Sequence, residues 1–333
     1  MTTVMSPRAS ALGALYGLAI GDALGMPTQM LSRQAISNRY DALRSFEPAA
    51  ADHPLAPGMA AGSITDDTEQ ALLLARLLVE GDGHVDAAVF ARELVQWEER
   101  MRARGSLDLL GPSTKRAVEA IIAGESVEES GRFGTTNGAA MRIAPVGIAV
   151  GSSDLAAIVD RVVEASRASH NTGVAIAGAS AVATAISAGI DGADLTETIA
   201  LAAAAAELGA QRGYWVAAAD VAARIRWTAE LVDPEDIEGS LTRIYELVGT
   251  SLASQESVPA AFGILRLFPG DPWEACLAAA SLGGDSDTVA AMVGAMAGAV
   301  SGVDGIPATA RQIVARVNDL DLETVADGLL ALR

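Results

Sequence analysis

Glycine recurs at every fourth position in the first long apolar segment of the chain. Residues 11–25 read ALGALYGLAIGDALG, and the repeated positions are Gly13, Gly17, Gly21 and Gly25. Because residues four apart lie on one face of an α-helix, these glycines form a stripe. Each interior glycine destabilises a helix by roughly 1 kcal/mol relative to alanine. The stripe therefore predicts a close approach to this backbone, by a second helix as the first interpretation and by a ligand as the alternative.

Asp22 lies within the same apolar segment, and the chain turns shortly after it. A carboxylate inside an apolar helix requires a polar partner, because an unpaired buried charge is costly. Pro27 disfavours helical geometry in Met26, which predicts that the helix ends there. We therefore expect Gln29 on a loop just beyond the glycine stripe.

Two short acidic sequences each precede an apolar run. Thr65-Asp66-Asp67 stands before ALLLARLL (71–78), and Asp285-Ser286-Asp287-Thr288 stands before VAAMV (289–293). Both predict helix starts, where side-chain oxygens cap free N–H groups, and Asp66-x-x-Glu69 fits a capping-box variant. One carboxylate is enough for a cap, so the second in each set is surplus. Brought together, six hard oxygen side chains would bind Mg²⁺, Ca²⁺ or Mn²⁺: Thr65, Asp66, Asp67, Asp285, Asp287 and Thr288.

A polar loop in the middle of the chain is a third candidate feature. Thr135-Thr136-Asn137-Gly138 predicts a tight turn, with Gly138 free to adopt positive φ, that opens a short helix over Ala139–Arg142. It fits either a capped turn or a ligand cradle whose N–H groups face an anion or hydroxyls. Phe133 beside it fits core packing or stacking on a base. His170, at a junction between two helices, fits either a buried polar role or catalysis.

Composition favours closely packed helices. Half of the 333 residues are hydrophobic, only 4% are aromatic, and alternating strand patterns are scarce, so we predict one all-α domain over residues 1–333 with about a dozen helices. The formal net charge of −19 argues against a nucleic-acid polymer as partner. The single cysteine, Cys276, excludes an internal disulfide and a cysteine-rich zinc site.

Targeting signals and membrane spans are not expected. Residues 1–11 lack the layout of a signal peptide, and the charge-poor stretches 173–190 and 288–303 are short for a bilayer span. We interpret both stretches as buried helices of a cytoplasmic protein that has no membrane partner. The sequence itself gives no oligomeric state.

The remaining pattern gives approximate element positions. Residues 32–62, rich in proline and glycine, predict a long irregular segment. Helices are expected at about 85–104, 257–268, 273–282 and 310–332. The sequence Asp108-Leu109-Leu110-Gly111-Pro112 predicts a turn into a further helix.

Taken together, these sequences resemble the ADP-ribosylglycohydrolase family. The matching segments occur in the family's order and span nearly the whole chain: GLAIGDALG (17–25), TDDT (65–68), NGAAMR (137–142), SH (169–170) and GGDSDT (283–288). The resemblance implies an all-α orthogonal helical bundle with two Mg²⁺ or Mn²⁺ ions at its centre, bound by the six oxygen side chains named above. It also places the Asn137-Gly138 loop and His170 around the ADP-ribose. The candidate substrate-binding residues are Asp22, Phe133, Gly134, Thr135, Thr136, Asn137, Gly138 and His170.

One position departs from the family pattern. Many hydrolases of the family have a glutamate near the metals where this chain has Gln29, and an amide is no carboxylate base. Asp67 and Asp285 are then the candidate proton acceptors, with Gln29 as a further candidate catalytic residue. The stretches Asp108–Ser113 and Asn137–Gly147 resemble a bacterial branch of the family, for which we expect small nucleosides or related N-glycosides as substrates.

The resemblance implies a metal-dependent hydrolase acting at the anomeric carbon of a ribose. The substrate would be a small ribosyl or ADP-ribosyl compound, either an ADP-ribosyl conjugate or a nucleoside-like N-glycoside, cleaved through an oxocarbenium-like transition state. Gln29 leaves open a pseudoenzyme that binds metal and ADP-ribose without turnover. A purely structural Ca²⁺ site is the third alternative.

Overall fold

The structure of the protein is a computed structural model, which describes residues 5–106 and 110–333. Over these ranges the chain forms eighteen α-helices and no β-strand, so the prediction of an all-α fold is confirmed. In chain order the helices are α1 (Pro7–Gly25), α2 (Arg33–Tyr40), α3 (Asp66–Glu80), α4 (Ala87–Ala103), α5 (Pro112–Ile122), α6 (Val127–Ser130), α7 (Gly138–Met141), α8 (Ala144–Ala149), α9 (Leu155–Ser166), α10 (Gly173–Ile190), α11 (Leu195–Gly209), α12 (Val221–Leu231), α13 (Ile237–Arg243), α14 (Ser254–Leu267), α15 (Pro272–Ala280), α16 (Ser286–Ser301), α17 (Ala308–Asn318) and α18 (Leu322–Leu330). A π-helical turn at Ile244–Val248 follows α13, and a 3-10 turn at Val303–Gly305 follows α16. The division into a single domain stays a prediction.

Helix α1 is a central element of the core. Ser6 caps its first turn by accepting a hydrogen bond from the N–H of Ala9, and Pro7 occupies the first helical position, where a missing N–H is harmless. Every residue from Ser10 to Gly25 is buried. A helix that is apolar on all faces is stable only when other elements surround it.

The glycine stripe of α1 packs against α16, backbone to backbone. A Cβ atom on Gly17 would lie 2.0 Å from the carbonyl oxygen of Gly294, and one on Gly13 would lie 2.1 Å from that of Gly298. The relation is mutual, because a Cβ on Gly294 would meet the carbonyl oxygen of Gly17 at 2.0 Å. The two helices run antiparallel, and the helix-packing interpretation of the stripe is confirmed.

Several predicted element positions need correction. Residues 32–62 are not wholly irregular, because α2 forms within them with Ser32 as its N-cap. The single C-terminal helix expected at 310–332 is two helices, since Asp319 takes a left-handed conformation that ends α17 and Asp321 caps α18. The estimate of a dozen helices was too low because short helices such as α6 and α7 have no periodic pattern. Asp108 and Leu109 of the predicted turn lie outside the described residues, and α5 follows them as expected.

Helix α10 passes a test of length and composition for crossing a membrane. It is the one such helix in the described ranges, at Gly173–Ile190, with a mean hydropathy of 1.7. All of that window is buried inside the protein, as is usual for a core helix.

The close contact between α1 and α16 predicts a large cost for one added methyl group. Gly17→Ala would place a Cβ inside the carbonyl of Gly294, so the two helices must separate along their length. We expect a loss of about 3 kcal/mol in the free energy of unfolding, measured by denaturant titration. Gly151→Ala is the matched control, because the nearest atoms to its added Cβ lie at 4.0 Å. Equal stability of the two variants would contradict this packing.

Candidate active site

The two acidic sequences do form helix starts, but their side chains are not used as local caps. Thr65 is the N-cap of α3 and Asp285 is the N-cap of α16, and neither side chain makes a capping hydrogen bond. The carboxylate and hydroxyl oxygens at these two helix starts are therefore directed to other partners.

Asp22, on α1, provides the acceptor for the start of α3. Its carboxylate accepts hydrogen bonds from the backbone N–H of Thr65 at 3.0 Å and of Thr68 at 3.1 Å. It also accepts the hydroxyl protons of Thr65 at 2.7 Å and of Thr68 at 2.5 Å. Burial raises the pKa of Asp22 to about 6, although these hydrogen bonds favour the ionised form. These hydrogen bonds fix the position of Thr65. A direct contact between Asp22 and the substrate stays a prediction.

The two acidic sets meet at the junction of α1, α3 and α16. A Cβ on Gly25 would lie 2.3 Å from the Cα of Asp287, so the last glycine of the stripe packs directly on the second acidic set. The hydroxyl of Thr288 donates to Oδ2 of Asp67 over 3.4 Å, which joins α16 to α3. Residues more than two hundred positions apart in sequence are thereby neighbours.

Burial acts against ionisation of the carboxylates of this junction, and neighbouring charges add to it at Asp67. The pKa of Asp67 is raised well above its usual range by burial, and then by the charges of Asp287, Asp66, Asp22 and Asp285 in decreasing order. Burial also raises the pKa of Asp285 to about 6, partly offset by hydrogen bonds from Asn137 and Thr288. A cation at this position would relieve the repulsion.

The donor chemistry of the junction fits a hard divalent cation. Oδ1 of Asp67 is buried and has no hydrogen-bond partner among the described residues, which leaves a carboxylate oxygen available. The hydroxyls of Thr65 and Thr288 are buried beside it. No group of three or more His, Cys, Asp or Glu side chains in residues 5–106 and 110–333 has metal-binding spacing. The fit therefore rests on the type of donor atoms and on the partnerless oxygen.

A cavity of about 300 Å³ opens beside this junction. It is lined by the acidic junction, through Asp66, Asp285, Asp287 and Thr288, and by the polar loop, through Thr136, Asn137 and Gly138. Its size is at the lower end of the range for small-molecule sites. A second cavity of about 570 Å³ shares Leu55 and Asp66 with the first and extends past Glu69 and Trp97.

Gln29 lines the smaller cavity through the loop that follows α1. That loop is bound to the segment before α16, since Met30 N–H donates to the carbonyl of Gly284 at 2.6 Å and Gly284 N–H donates to Leu31 at 2.9 Å. The side chain of Gln29 is 3% exposed, and its Nε2 has no hydrogen-bond partner among the described residues. A buried amide donor without a partner is costly unless a ligand accepts from it.

The polar loop divides into residues at the cavity and residues behind it. Asn137 is fixed at the cavity because its Nδ2 donates to Asp285 Oδ2 at 2.5 Å and to Ser257 Oγ at 3.1 Å. Gly134 and Thr135 do not line the cavity; Thr135 accepts hydrogen bonds from Ser254 through its backbone. These two residues shape the loop through the backbone.

Phe133 and His170 differ in exposure, and neither is among the residues that line the cavity. Phe133 is 56% exposed, which contradicts the core-packing interpretation, and the guanidinium of Arg132 lies 5.0 Å from its ring centroid. His170 is fully buried, with Nε2 at 2.9 Å from the hydroxyl of Thr136. It stands behind the loop, and burial together with the charge of Arg142 lowers its pKa well below the usual value.

Gly138 does not adopt positive φ, contrary to the sequence-based expectation. It is the first residue of α7, one position earlier than the predicted helix start. Glycine is required here for space, because a Cβ would lie 2.8 Å from Cε1 of His170.

Sequence reasoning gave no role to three buried polar residues near the site, namely Gln70, Arg142 and Ser169, although the last two lie in the segments that resemble the family. Arg142 is fully buried between Gln70, to which it donates at 2.8 Å, and Ser169, to which it donates at 2.5 Å. The signal in the sequence was a charged residue within the otherwise apolar run 139–149.

Comparison with known proteins finds, along nearly the whole chain, the family that the sequence resembles. The family model described as ADP-ribosylglycohydrolase matches residues 3–333. Uncharacterized protein YegU of Escherichia coli (strain K12) is 35% identical over 323 residues, which are 97% of this chain and 96% of that protein. ADP-ribosylarginine hydrolase Tri1 of Pseudomonas putida (strain GB-1) is 29% identical over 89% of this chain and 72% of its own length.

A solved structure agrees with these sequence matches. It is described as an ADP-ribosylglycohydrolase-related protein complex, and its TM-score to this chain is 0.73 at 25% sequence identity. The match covers 98% of this chain and 99% of that one. The likeness therefore extends over the whole helical fold.

Proposed function

The chain belongs to the ADP-ribosylglycohydrolase family, and from this premise we propose that it hydrolyses the glycosidic bond of an ADP-ribosyl conjugate with the help of divalent metal ions. The observation that carries the proposal is the cavity between the acidic junction and the polar loop. The relative named as an ADP-ribosylarginine hydrolase supports an ADP-ribosyl substrate. The comparisons give no support to a nucleoside substrate.

Six side chains would hold the metal, which we propose to be two Mg²⁺ or Mn²⁺ ions. They are Thr65, Asp66, Asp67, Asp285, Asp287 and Thr288, all of them hard oxygen donors. Bound divalent ions polarise ligand oxygens and lower the pKa of a coordinated water. The protein's own contribution is to hold these donors close together before any ligand arrives.

The polar loop would orient the sugar against the acidic junction. Asn137 is held by Asp285 and Ser257, so its position is fixed relative to the acidic side chains. Thr136 and Gly138 line the same cavity. A ribose held by these residues would expose its anomeric carbon to a water near Asp285, which is the kind of fixed geometry that lowers an activation barrier.

Asp285 is the better placed of the two candidate proton acceptors. It lines the cavity, whereas Asp67 lies beneath it and is 1% exposed. As the carboxylate takes the proton of the attacking water, a hydrogen bond from Asn137 Nδ2 holds the other oxygen in place. General-base help of this kind accelerates a reaction by about 10²–10⁴-fold.

Gln29 would act as a hydrogen-bond donor to the substrate. Its Nε2 is buried at the cavity and lacks a protein partner in the described ranges. An amide cannot accept the proton of water as a carboxylate does, so the base function must come from elsewhere. With Gln29 in this role, the chain would depart from the family pattern at this position and still hydrolyse its substrate.

The direct test is a substrate panel with purified protein. We expect release of free ADP-ribose from at least one of ADP-ribosyl-arginine, ADP-ribosyl-serine and O-acetyl-ADP-ribose, with Mg²⁺ or Mn²⁺ present and not after chelation. Asp285→Asn keeps the acceptor for Asn137 but removes the base and one carboxylate metal ligand, so kcat should fall by at least about 10²–10⁴-fold. Nucleosides serve as the comparison set and should stay intact. Metal-dependent binding of ADP-ribose with no hydrolysis of any conjugate would instead identify a pseudoenzyme.

Gln29→Glu separates a substrate donor from a lost catalytic base. The two side chains are nearly isosteric, but glutamate adds a negative charge beside Asp66, Asp285 and Asp287 and removes the amide donor. We expect kcat/KM for the best substrate of the panel to fall about tenfold, because a hydrogen bond of roughly 1.4 kcal/mol is lost. A rise of 10²-fold or more on any ADP-ribosyl conjugate would contradict this role and show that the base had been lost.

A further inference from the structure

Arg142 is the largest fully buried side chain of the described residues, and its environment is unusual. It forms no salt bridge within those ranges, and its Nε has no hydrogen-bond partner there. The ring of Phe90 covers the guanidinium, with its centroid 4.9 Å from Cζ. Burying a charged guanidinium without a bonded carboxylate is costly, so its hydrogen bonds must serve a purpose that a neutral side chain does not.

One arm of Arg142 reaches the acidic junction through Gln70. Nη1 of Arg142 donates to Oε1 of Gln70 at 2.8 Å, and Nε2 of Gln70 donates to Oδ2 of Asp66 at 2.8 Å. Arginine has no acceptor, so the amide oxygen of Gln70 must face it. The amide nitrogen is thereby directed at Asp66.

The other arm of the Arg142 guanidinium reaches the polar loop through Ser169 and His170. Nη2 of Arg142 donates to Oγ of Ser169 at 2.5 Å, and that oxygen lies 2.8 Å from Nδ1 of His170. Nε2 of His170 lies 2.9 Å from Oγ1 of Thr136, which lines the cavity. The path from Asp66 to Thr136 is therefore an unbroken series of hydrogen bonds.

The guanidinium decides the direction of every bond on this path. Ser169 accepts from Arg142, and its own proton has Nδ1 of His170 as its single acceptor among the described residues. If Nδ1 carried a proton, the buried hydroxyl proton of Ser169 would be unpaired, at a cost of about 1–3 kcal/mol. A neutral imidazole has one proton, which must then lie on Nε2 and be donated to Thr136.

We propose that Arg142 is a positioning residue, which through Ser169 fixes His170 as the Nε2–H tautomer and makes Thr136 present its hydroxyl proton to the cavity. The ligand atom that accepts this proton is an oxygen of the ADP-ribosyl group, an assignment that rests on the proposed function. The imidazole is further held by the backbone of Gly138, where a Cβ would lie 3.0 Å from Nε2. The buried guanidinium of Arg142 thus orients two donors: the hydroxyl of Thr136 on the polar loop and the amide of Gln70 that donates to Asp66.

The ring nitrogens of His170 give a direct readout in the protein without ligand. The chain contains three histidines, and ¹⁵N-edited NMR of the imidazole rings distinguishes a protonated from an unprotonated nitrogen. We expect Nδ1 of His170 to be unprotonated and Nε2 protonated at neutral pH. Replacing Arg142 itself would open a cavity in the core, so the test replaces the hydroxyl of Ser169 instead.

Ser169→Ala should shift His170 toward the Nδ1–H tautomer or a mixture, and Ser169→Thr, which restores a hydroxyl, should return it to the wild-type form. Ser166→Ala is the matched control, because the hydroxyl of Ser166 is buried and has no partner among the described residues. An Nδ1–H tautomer in the wild type, or an unchanged tautomer in Ser169→Ala, would overturn the proposal, whatever the outcome of the hydrolysis assay.

With a substrate from the panel, Ser169→Ala should raise KM about fivefold and leave kcat within about twofold, as expected for a lost hydrogen bond of roughly 1 kcal/mol. A fall in kcat with unchanged KM would contradict a hydrogen bond from the hydroxyl of Thr136 to the bound substrate.

Discussion

The backbone contact between α1 and α16 is the constraint from which the site follows. Glycines at four successive turns of α1 remove the side chains that would otherwise separate the two helices. Because the helices run antiparallel, the C-terminal end of α1 meets the N-terminal end of α16. Gly25 and the loop that carries Gln29 therefore lie against Asp287 and Gly284, and the site depends on this close approach rather than on any local sequence.

The same contact accounts for the electrostatics of the site. The side chain of Asp22, on α1, accepts hydrogen bonds from the start of α3. This contact brings Asp66 and Asp67 close to the acidic N-terminal end of α16. Helix N-termini favour negative charge, which makes such a concentration of carboxylates tolerable. Burial, and then the charges of the neighbouring carboxylates, still raise the pKa of Asp67 well above its usual range. A fold that holds these groups together before a cation binds has paid most of the cost of assembling the site in advance.

The sequence predicted the parts of the site better than their arrangement. Helix starts at Asp66 and Ser286 and the stripe from Gly13 to Gly25 were readable because they depend on local spacing. Arg142 was not, because its partners Gln70 and Ser169 lie 72 and 27 residues away and no local pattern links them. The space requirement at Gly138 likewise comes from His170, which a distant segment brings against it.

We propose that the α1–α16 contact assembles a divalent-metal site from two distant helix starts. A titration of the metal-free protein with Mn²⁺, with free Mn²⁺ followed by its electron paramagnetic resonance signal, measures this site directly. We expect two bound ions per chain in the wild type and a loss of at least one in Asp287→Asn, because that change removes a carboxylate ligand. Glu230→Gln, the same change at an exposed residue of α12, should bind as the wild type does. A wild type that binds no Mn²⁺, or an Asp287→Asn variant that binds it with undiminished affinity and stoichiometry, would contradict a metal site at this junction.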